Sequence, residues 1–211
     1  GVQTCALPIS DGAYVLAVHP GVQAANVKEL IALAKQKPGV LNFSSAGNGT
    51  MLHLNGELFK SLAGVNIVHV PYKGAAAAMT DLVSGQVQLA FNPPSVTLPH
   101  VKSARLRGLA VTSAKRSALA PDLPTIAEAG VPGYEATGWY AALAPARTPP
   151  AAIARINREL NEAIATKEVR ERFFAAGVEA IGSTPQQFGE FIRAEYAKWG
   201  KVVRASGVKP E

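Results

Sequence analysis

Leu41-Asn42-Phe43-Ser44-Ser45-Ala46-Gly47-Asn48-Gly49-Thr50-Met51-Leu52-His53-Leu54 spells a strand, a turn and a helix in sequence. Leu41 to Ser44 is a short, mostly apolar run. Small polar residues and two glycines break it, and a helix follows from about Thr50 to Leu62, stopped by Gly64. A helix start leaves backbone N–H groups unpaired and carries about half a positive charge. Glycine lets a ligand come close to the backbone, and Ser45 and Thr50 add hydroxyls. Ser45, Ala46, Gly47, Asn48, Gly49 and Thr50 therefore make a candidate anion site. The competing reading is an ordinary strand-to-helix turn. The loop is not a phosphate-binding P-loop, since no Gly-Lys-Ser/Thr follows, and it is not a Gly-x-Gly-x-x-Gly fingerprint.

The same grammar repeats on either side. Downstream, Ile67 to Val70 reads as a strand, Pro71-Tyr72-Lys73-Gly74 as a turn and Ala75 to Val83 as a helix broken by Ser84-Gly85. Val87 to Phe91 is a strand, Asn92-Pro93-Pro94-Ser95 a turn, Val96 to Val101 a short helix and Leu106 to Thr112 a strand. Upstream, Ala13 to Val18 is a strand stopped by His19-Pro20-Gly21, and Asn26 caps a helix from Val27 to Lys37 closed by Pro38-Gly39. The strands are apolar without polar alternation, which argues for a mostly parallel sheet covered on both faces. In such sheets ligands sit beyond the carboxyl ends of the strands. Tyr72, Lys73, Gly74, Ala75 and Asn92 thus join the first loop as site candidates. Tyr72 can stack or hydrogen-bond, Lys73 can attract an anion, and Ala75 is too small to obstruct.

After Thr112 the texture changes. Ser113 to Tyr134 reads as a connector with one small helix, Thr125 to Ala129. A strand, Thr137 to Ala144, leads to Pro149-Pro150, which open a helix reaching Thr166 with Ile153, Ile156, Leu160 and Ile164 on one face. A helix from Lys167 to Ala176, a strand from Val178 to Ile181 and a last helix to Ala205 follow, the last capped by Thr184 with Gln187 as its partner. Three helices are too many for two strands to cover. The chain accordingly divides into one nearly complete lobe, 11–125, and part of a second, 126–211.

The first ten residues, Gly1-Val2-Gln3-Thr4-Cys5-Ala6-Leu7-Pro8-Ile9-Ser10, match the conceptual translation of a sequencing adapter. They are read as non-native and left out of the fold, with an ordinary apolar strand as the alternative. On that reading the protein's own residues begin near Asp11 and its true N-terminus is not in the sequence.

Composition excludes several classes. With 48% hydrophobic and 17% charged residues among 211, the chain can bury a real core. Its net charge of +6 comes from scattered Lys and Arg, not from a basic face with interleaved aromatics, so nucleic acid is not expected. No apolar run reaches the roughly 18 residues of a membrane span. One cysteine allows no internal disulfide, and the four histidines have no metal-ligand spacing. No nucleophile elbow or zinc-protease motif occurs. Between Ser44 and Ser95 the acids are Glu57 and Asp81, both placed inside helices as solvated groups. His53 is positioned to touch a ligand or orient the turn, with a packed structural role the plainer reading; His69 reads as structural. Binding without catalysis is the expectation, and no cofactor is implied.

Seven ordered motifs carry a resemblance. They are Ser-Ala-Gly-Asn-Gly-Thr…His-Leu…Glu-Leu-Phe-Lys (45–60), Val-His-Val-Pro-Tyr-Lys-Gly (68–74), Thr-Asp-Leu-Val-Ser-Gly-Gln-Val (80–87), Leu-Pro-His-Val (98–101), Leu-Ala-Val-Thr-Ser-Ala-Lys-Arg (109–116), Leu-Pro-Thr-Ile-Ala-Glu-Ala-Gly (123–130) and Ala-Pro-Ala-Arg-Thr-Pro-Pro (144–150). In this order the chain resembles the substrate-binding proteins of tripartite tricarboxylate transporters, the Bug or TctC proteins. The resemblance implies an α/β fold of the type II periplasmic-binding-protein kind, with two lobes, the second incomplete because an N-terminal part is missing. It implies a monomeric periplasmic receptor, exported by a signal peptide in that missing part. Such a receptor captures a small carboxylate — a di- or tricarboxylate, an acidic amino acid or an aromatic acid — and passes it to membrane permease subunits. In the family the turn matching Ser45 to Thr50 holds the ligand carboxylate through backbone N–H groups and hydroxyls. The same bilobed fold also serves as the effector domain of regulators, which is the alternative. Two departures stand out: relatives often carry Asp-Asn where this chain has Asn92-Pro93, and Gly where it has Arg147.

Overall fold

The computed structural model describes residues 4–208, and the chain splits into two compact units. The larger unit holds Ala13–Thr137 together with the residues from Lys201 on. Its sheet is built from β2 (Val15–Val18), β3 (Asn42–Ser45), β4 (Val68–Pro71), β5 (Leu89–Asn92) and β6 (Arg107–Val111), in the order β4-β3-β5-β2-β6. β3 runs parallel to β4 and β5. β2 runs antiparallel to both β5 and β6, so the expected mostly parallel sheet contains one reversed strand. Both faces are covered, as the lack of polar alternation implied. Val15 and Ala17 of β2 face a core with Leu82, Val87, Ala90, Leu106 and Val111. Leu16 and Val18, of opposite pleat, are also fully buried.

Helices α1 (Val27–Gln36), α2 (Met51–Ala63), α3 (Ala75–Ser84) and α4 (Pro94–Lys102) connect the strands. Asn26 caps α1 by accepting the Glu29 N–H at 3.0 Å, while Glu29 reaches back to the Ala25 N–H at 2.7 Å. Gly64 and Gly85 end α2 and α3 in the left-handed conformation. Phe59 of α2 meets Phe91 of β5 at 5.8 Å between ring centroids, and Tyr134 closes the cluster at 6.3 Å and 6.5 Å from them.

The connector after β6 departs from expectation. Residues 125–130 form a hydrogen-bonded turn, not a helix. Thr125 and Glu128 cap each other's N–H groups at 3.0 Å and 2.9 Å, but Gly130 at φ 118° and Pro132 prevent a second turn. Ile126, Val131 and Tyr134 are buried, so this stretch belongs to the larger unit. The division between units therefore falls at Thr137/Gly138, not at 125/126.

The smaller unit holds the residues up to Gly12 together with Gly138–Gly200. Its sheet has the order β7-β1-β8, from β1 (Thr4–Ala13), β7 (Thr137–Ala144) and β8 (Glu179–Ala180). The segment left out of the fold at sequence level thus forms most of β1. It pairs antiparallel with β8 at Ser10↔Ala180 and Asp11↔Glu179. The expected strand Ala13–Val18 is in fact the end of β1 and, after Tyr14, β2. Helices α5 (Pro150–Ala165) and α6 (Lys167–Ala176) pack here with α7 (Pro185–Ser206) as far as Gly200. Thr184 and Gln187 form the expected capping box. Ile164 centres a small core with Ile9, Ala142, Leu160, Val169 and Ala180.

Candidate functional site

Three strands of the larger unit end side by side. Because β4, β3 and β5 are adjacent and parallel, the loop after Ser45, the turn after Pro71 and Asn92 lie at one edge of the sheet. The first two turns are bonded together: the Tyr72 N–H donates to Ser45 O at 3.0 Å and the Gly74 N–H to Ala46 O at 3.2 Å. Gly47 (φ 139°), Gly49 (φ 70°) and Gly74 (φ 111°) all sit where a side chain is strained. These three glycines are therefore demanded by backbone shape.

Helices α2 and α3 start from these turns, and neither has a side-chain cap or an acidic residue in its first turn. α1, by contrast, has both. Thr50 makes no side-chain cap on α2, and its hydroxyl donates to Gly47 O at 2.8 Å. Two helix N-termini are thus left electropositive at joined turns. Ser45 does not offer its hydroxyl outward as expected: the residue is fully buried, and Oγ lies 2.6 Å from His69 Nε2 while accepting the Gly47 N–H at 3.2 Å. The backbone, with Asn48 and Gly49 exposed, is the loop's outward face.

His53 orients this loop. Its Nδ1 accepts the Gly49 N–H at 3.1 Å, its ring stacks on His69 at 3.6 Å and 8°, and its Nε2 lies 3.6 Å from Glu57 Oε1. Glu57 is buried, not solvated, and takes the Lys60 ammonium at 2.7 Å. Burial pushes its carboxyl up, but the bonds from His53 and Lys60 outweigh that and hold it below its ordinary value. Burial and the neighbouring His53 push His69 down to about 4. Asp81, also read as solvated, accepts the Tyr72 hydroxyl at 2.8 Å; burial and this bond push Tyr72 up to about 12. Lys73 and Ala75 are exposed beside the turn.

The proton linkage of His69 gives a testable consequence. The ring binds a proton more weakly in the folded chain (about 4) than when unfolded (6.5), so the unfolded chain gains protons first on acidification. Stability is full above pH 6.5 and is lost as pH falls toward 4. After discounting for partial exposure the loss is about 1–2 kcal/mol. Urea midpoints at pH 7, 5.5 and 4.5 check this against His69→Gln, which should flatten the slope; parallel curves for the two proteins would contradict it.

Asn92 is 2% exposed, and neither its Oδ1 nor its Nδ2 has a hydrogen-bond partner. Asn55 of α2, fully buried, is in the same position. Sequence reading missed Asn55 and the role of His69. The signal for Asn55 was a polar residue at helical spacing with Leu52 and Phe59 on an apolar face. Nothing local marked His69, whose partner is 16 residues away along the chain and adjacent only in space. Among the described residues no cluster of His, Cys, Asp and Glu could hold a metal ion.

A family model described as the tripartite tricarboxylate transporter family receptor matches residues 3–208. Protein BugT of Bordetella pertussis is 38% identical over 201 residues, which are 95% of this chain and 62% of BugT. This chain therefore spans less than two thirds of that relative's length. Among solved structures, Rpa4515 of R. palustris, determined with adipate, is 35% identical with a TM-score of 0.83 over 99% of this chain and 70% of its own. The periplasmic binding protein BugD is 28% identical with a TM-score of 0.78, covering 98% of this chain and 70% of its own.

Proposed function

We infer that this chain, which belongs to the tripartite tricarboxylate transporter receptor family, captures a small carboxylate at the joined turns Ser45–Thr50 and Pro71–Ala75 and releases it unchanged. The observation that carries this reading is the pair of uncapped, acid-free starts of α2 and α3, fastened together through the Ser45 and Ala46 carbonyls. Such a place attracts an anion and offers backbone donors, while the Ser45 hydroxyl and the His53 and His69 rings beside it are engaged in holding the loop. Of the candidates named from the sequence, Ala46, Gly47, Asn48, Gly49, Gly74 and Ala75 supply the backbone around the ligand. Asn92 supplies an amide with unspent hydrogen-bonding capacity. Lys73 supplies a nearby charge. Ser45, Thr50, His53 and Tyr72 shape the turns through the bonds described above.

Ligand transfer to permease subunits, action as a monomer and a periplasmic location complete the reading. None of the helices among the described residues is long and apolar enough to cross a membrane. The chain covers 62% of BugT and 70% of the Rpa4515 chain. Tyr140 at 66% exposure and Leu143 at 53% are uncovered apolar side chains on β7.

The binding claim is tested by thermal shift of the protein against a panel of carboxylates that includes adipate. A ligand at a hundredfold its Kd adds about 2.7 kcal/mol of stability, a readily measured rise in melting temperature. No shift with any member of the panel would overturn the reading.

A further inference from the structure

We propose that the stacked imidazoles of His53 and His69 are positioning residues that hold the Ser45–Thr50 loop in its ligand-receiving shape, and that a proton taken up by His53 releases it. The proposal rests on the carboxylate reading for its purpose, but not for its geometry. A neutral imidazole has one acceptor nitrogen. His53 uses Nδ1 to accept the Gly49 N–H at 3.1 Å, which puts its own proton on Nε2, facing Glu57 Oε1 at 3.6 Å. An imidazolium has no acceptor, so protonation sets an N–H against the Gly49 N–H and removes the contact.

His69 fixes the His53 ring plane. It lies parallel at 3.6 Å on one side, and Phe43 backs the pair with its centroid 5.0 Å from His69 and 6.2 Å from His53. Through Nε2, 2.6 Å from Ser45 Oγ, His69 also grips the start of the same loop. The two rings therefore hold the loop at Ser45 and at Gly49, one from β4 and one from α2. The charged groups around the pair are Glu57 and Lys60 on α2. The α7 residues that face those two across a cleft of about 330 Å³, Val202, Ala205 and Ser206, carry no charge.

The test is amide hydrogen exchange of Gly49 together with adipate binding, in the full chain. Asn Oδ1 reproduces the position of a histidine Nδ1 and accepts at every pH, whereas leucine accepts nothing. His53→Leu should speed Gly49 exchange at least tenfold while the β5 amides stay as protected as before. His53→Asn should recover most of the Gly49 protection and lose the release that acidification is expected to produce in the wild type. Unchanged Gly49 protection in His53→Leu would overturn the proposal, as would an acid step that persists in His53→Asn. His69→Gln, which keeps a polar atom near the Nε2 position, serves where His53→Leu does not fold, and should keep Ser45 held but lose the ring stack, loosening Gly49 threefold or more. No loosening there would overturn the role given to His69. The exchange readout needs no ligand, so failure of adipate to bind would touch the carboxylate reading alone.

Discussion

Replacing Gly56 with alanine is expected to destabilise the larger unit by about 2 kcal/mol, although helix propensity alone predicts the opposite sign. Alanine is favoured over glycine inside a helix by about 1 kcal/mol. Gly56 lies inside α2, but a Cβ built there falls 2.2, 2.5 and 2.7 Å from three ring carbons of Phe43. The ring has nowhere to go. Phe43 is fully buried on β3, with His69 and His53 against it. Overpacking of this kind costs up to about 3 kcal/mol, which outweighs the propensity gain. The displaced ring also pushes on the histidine pair, so ligand affinity should fall with stability. Both tryptophans, Trp139 and Trp199, lie in the smaller unit, so exchange of the β3 and β5 amides is the better probe. A Gly56→Ala protein as stable as the wild type would show that α2 can move off the sheet. The double variant Gly56→Ala/Phe43→Leu should lose less than the sum of the single losses, since each change relieves the other.

Gly56 also shows where sequence reading stopped. Features written in neighbouring residues were legible: the Asn26 and Thr184 caps, the glycine stops at 64 and 85, and the polar turns after Ser45, Pro71 and Phe91. The site loops follow from local chemistry because glycine, proline and small polar residues determine backbone shape within a few positions. What failed was non-local. β2 is buried on both faces, so its four apolar residues carry no record of which neighbours it takes or in which direction it runs. Residues 113–134 look like a connector because their buried side chains, Ile126, Val131 and Tyr134, are spaced by turns and not by a helix or strand period. A glycine in α2 reads as a weak point until Phe43 is seen against it. Charges were misplaced for the same reason: Glu57 looks solvated on a helix until His53 and Lys60 close over it.

Replacing Asn92 with aspartate is expected to cost about 3–5 kcal/mol at neutral pH, and much less near pH 4. The side chain is 2% exposed, and neither of its polar atoms has a partner. An amide in that position loses its hydration, but an ionised carboxylate loses far more and finds no cation or N–H in return. The next residue is Pro93, which has no N–H to give. The Pro93 carbonyl is already committed to Val96 N, Thr97 N and the Thr97 hydroxyl at the start of α4. The introduced carboxyl would therefore keep its proton to a pH well above the ordinary value of about 3.9. The folded variant then binds a proton that the unfolded chain has lost. Its stability relative to the wild type should thus fall as pH rises through that window and level off above the raised value. Comparing the two proteins at each pH cancels the His69 contribution, which both share. A stability difference that stayed constant from pH 4 to 7 would mean that the introduced carboxyl is ionised throughout and has found a partner, and that the buried amide it replaces is not isolated. Binding should follow the same curve: if the joined turns take a carboxylate as proposed, a negative charge beside them at the end of β5 lowers adipate affinity more than about tenfold at pH 7 and less as the carboxyl takes its proton.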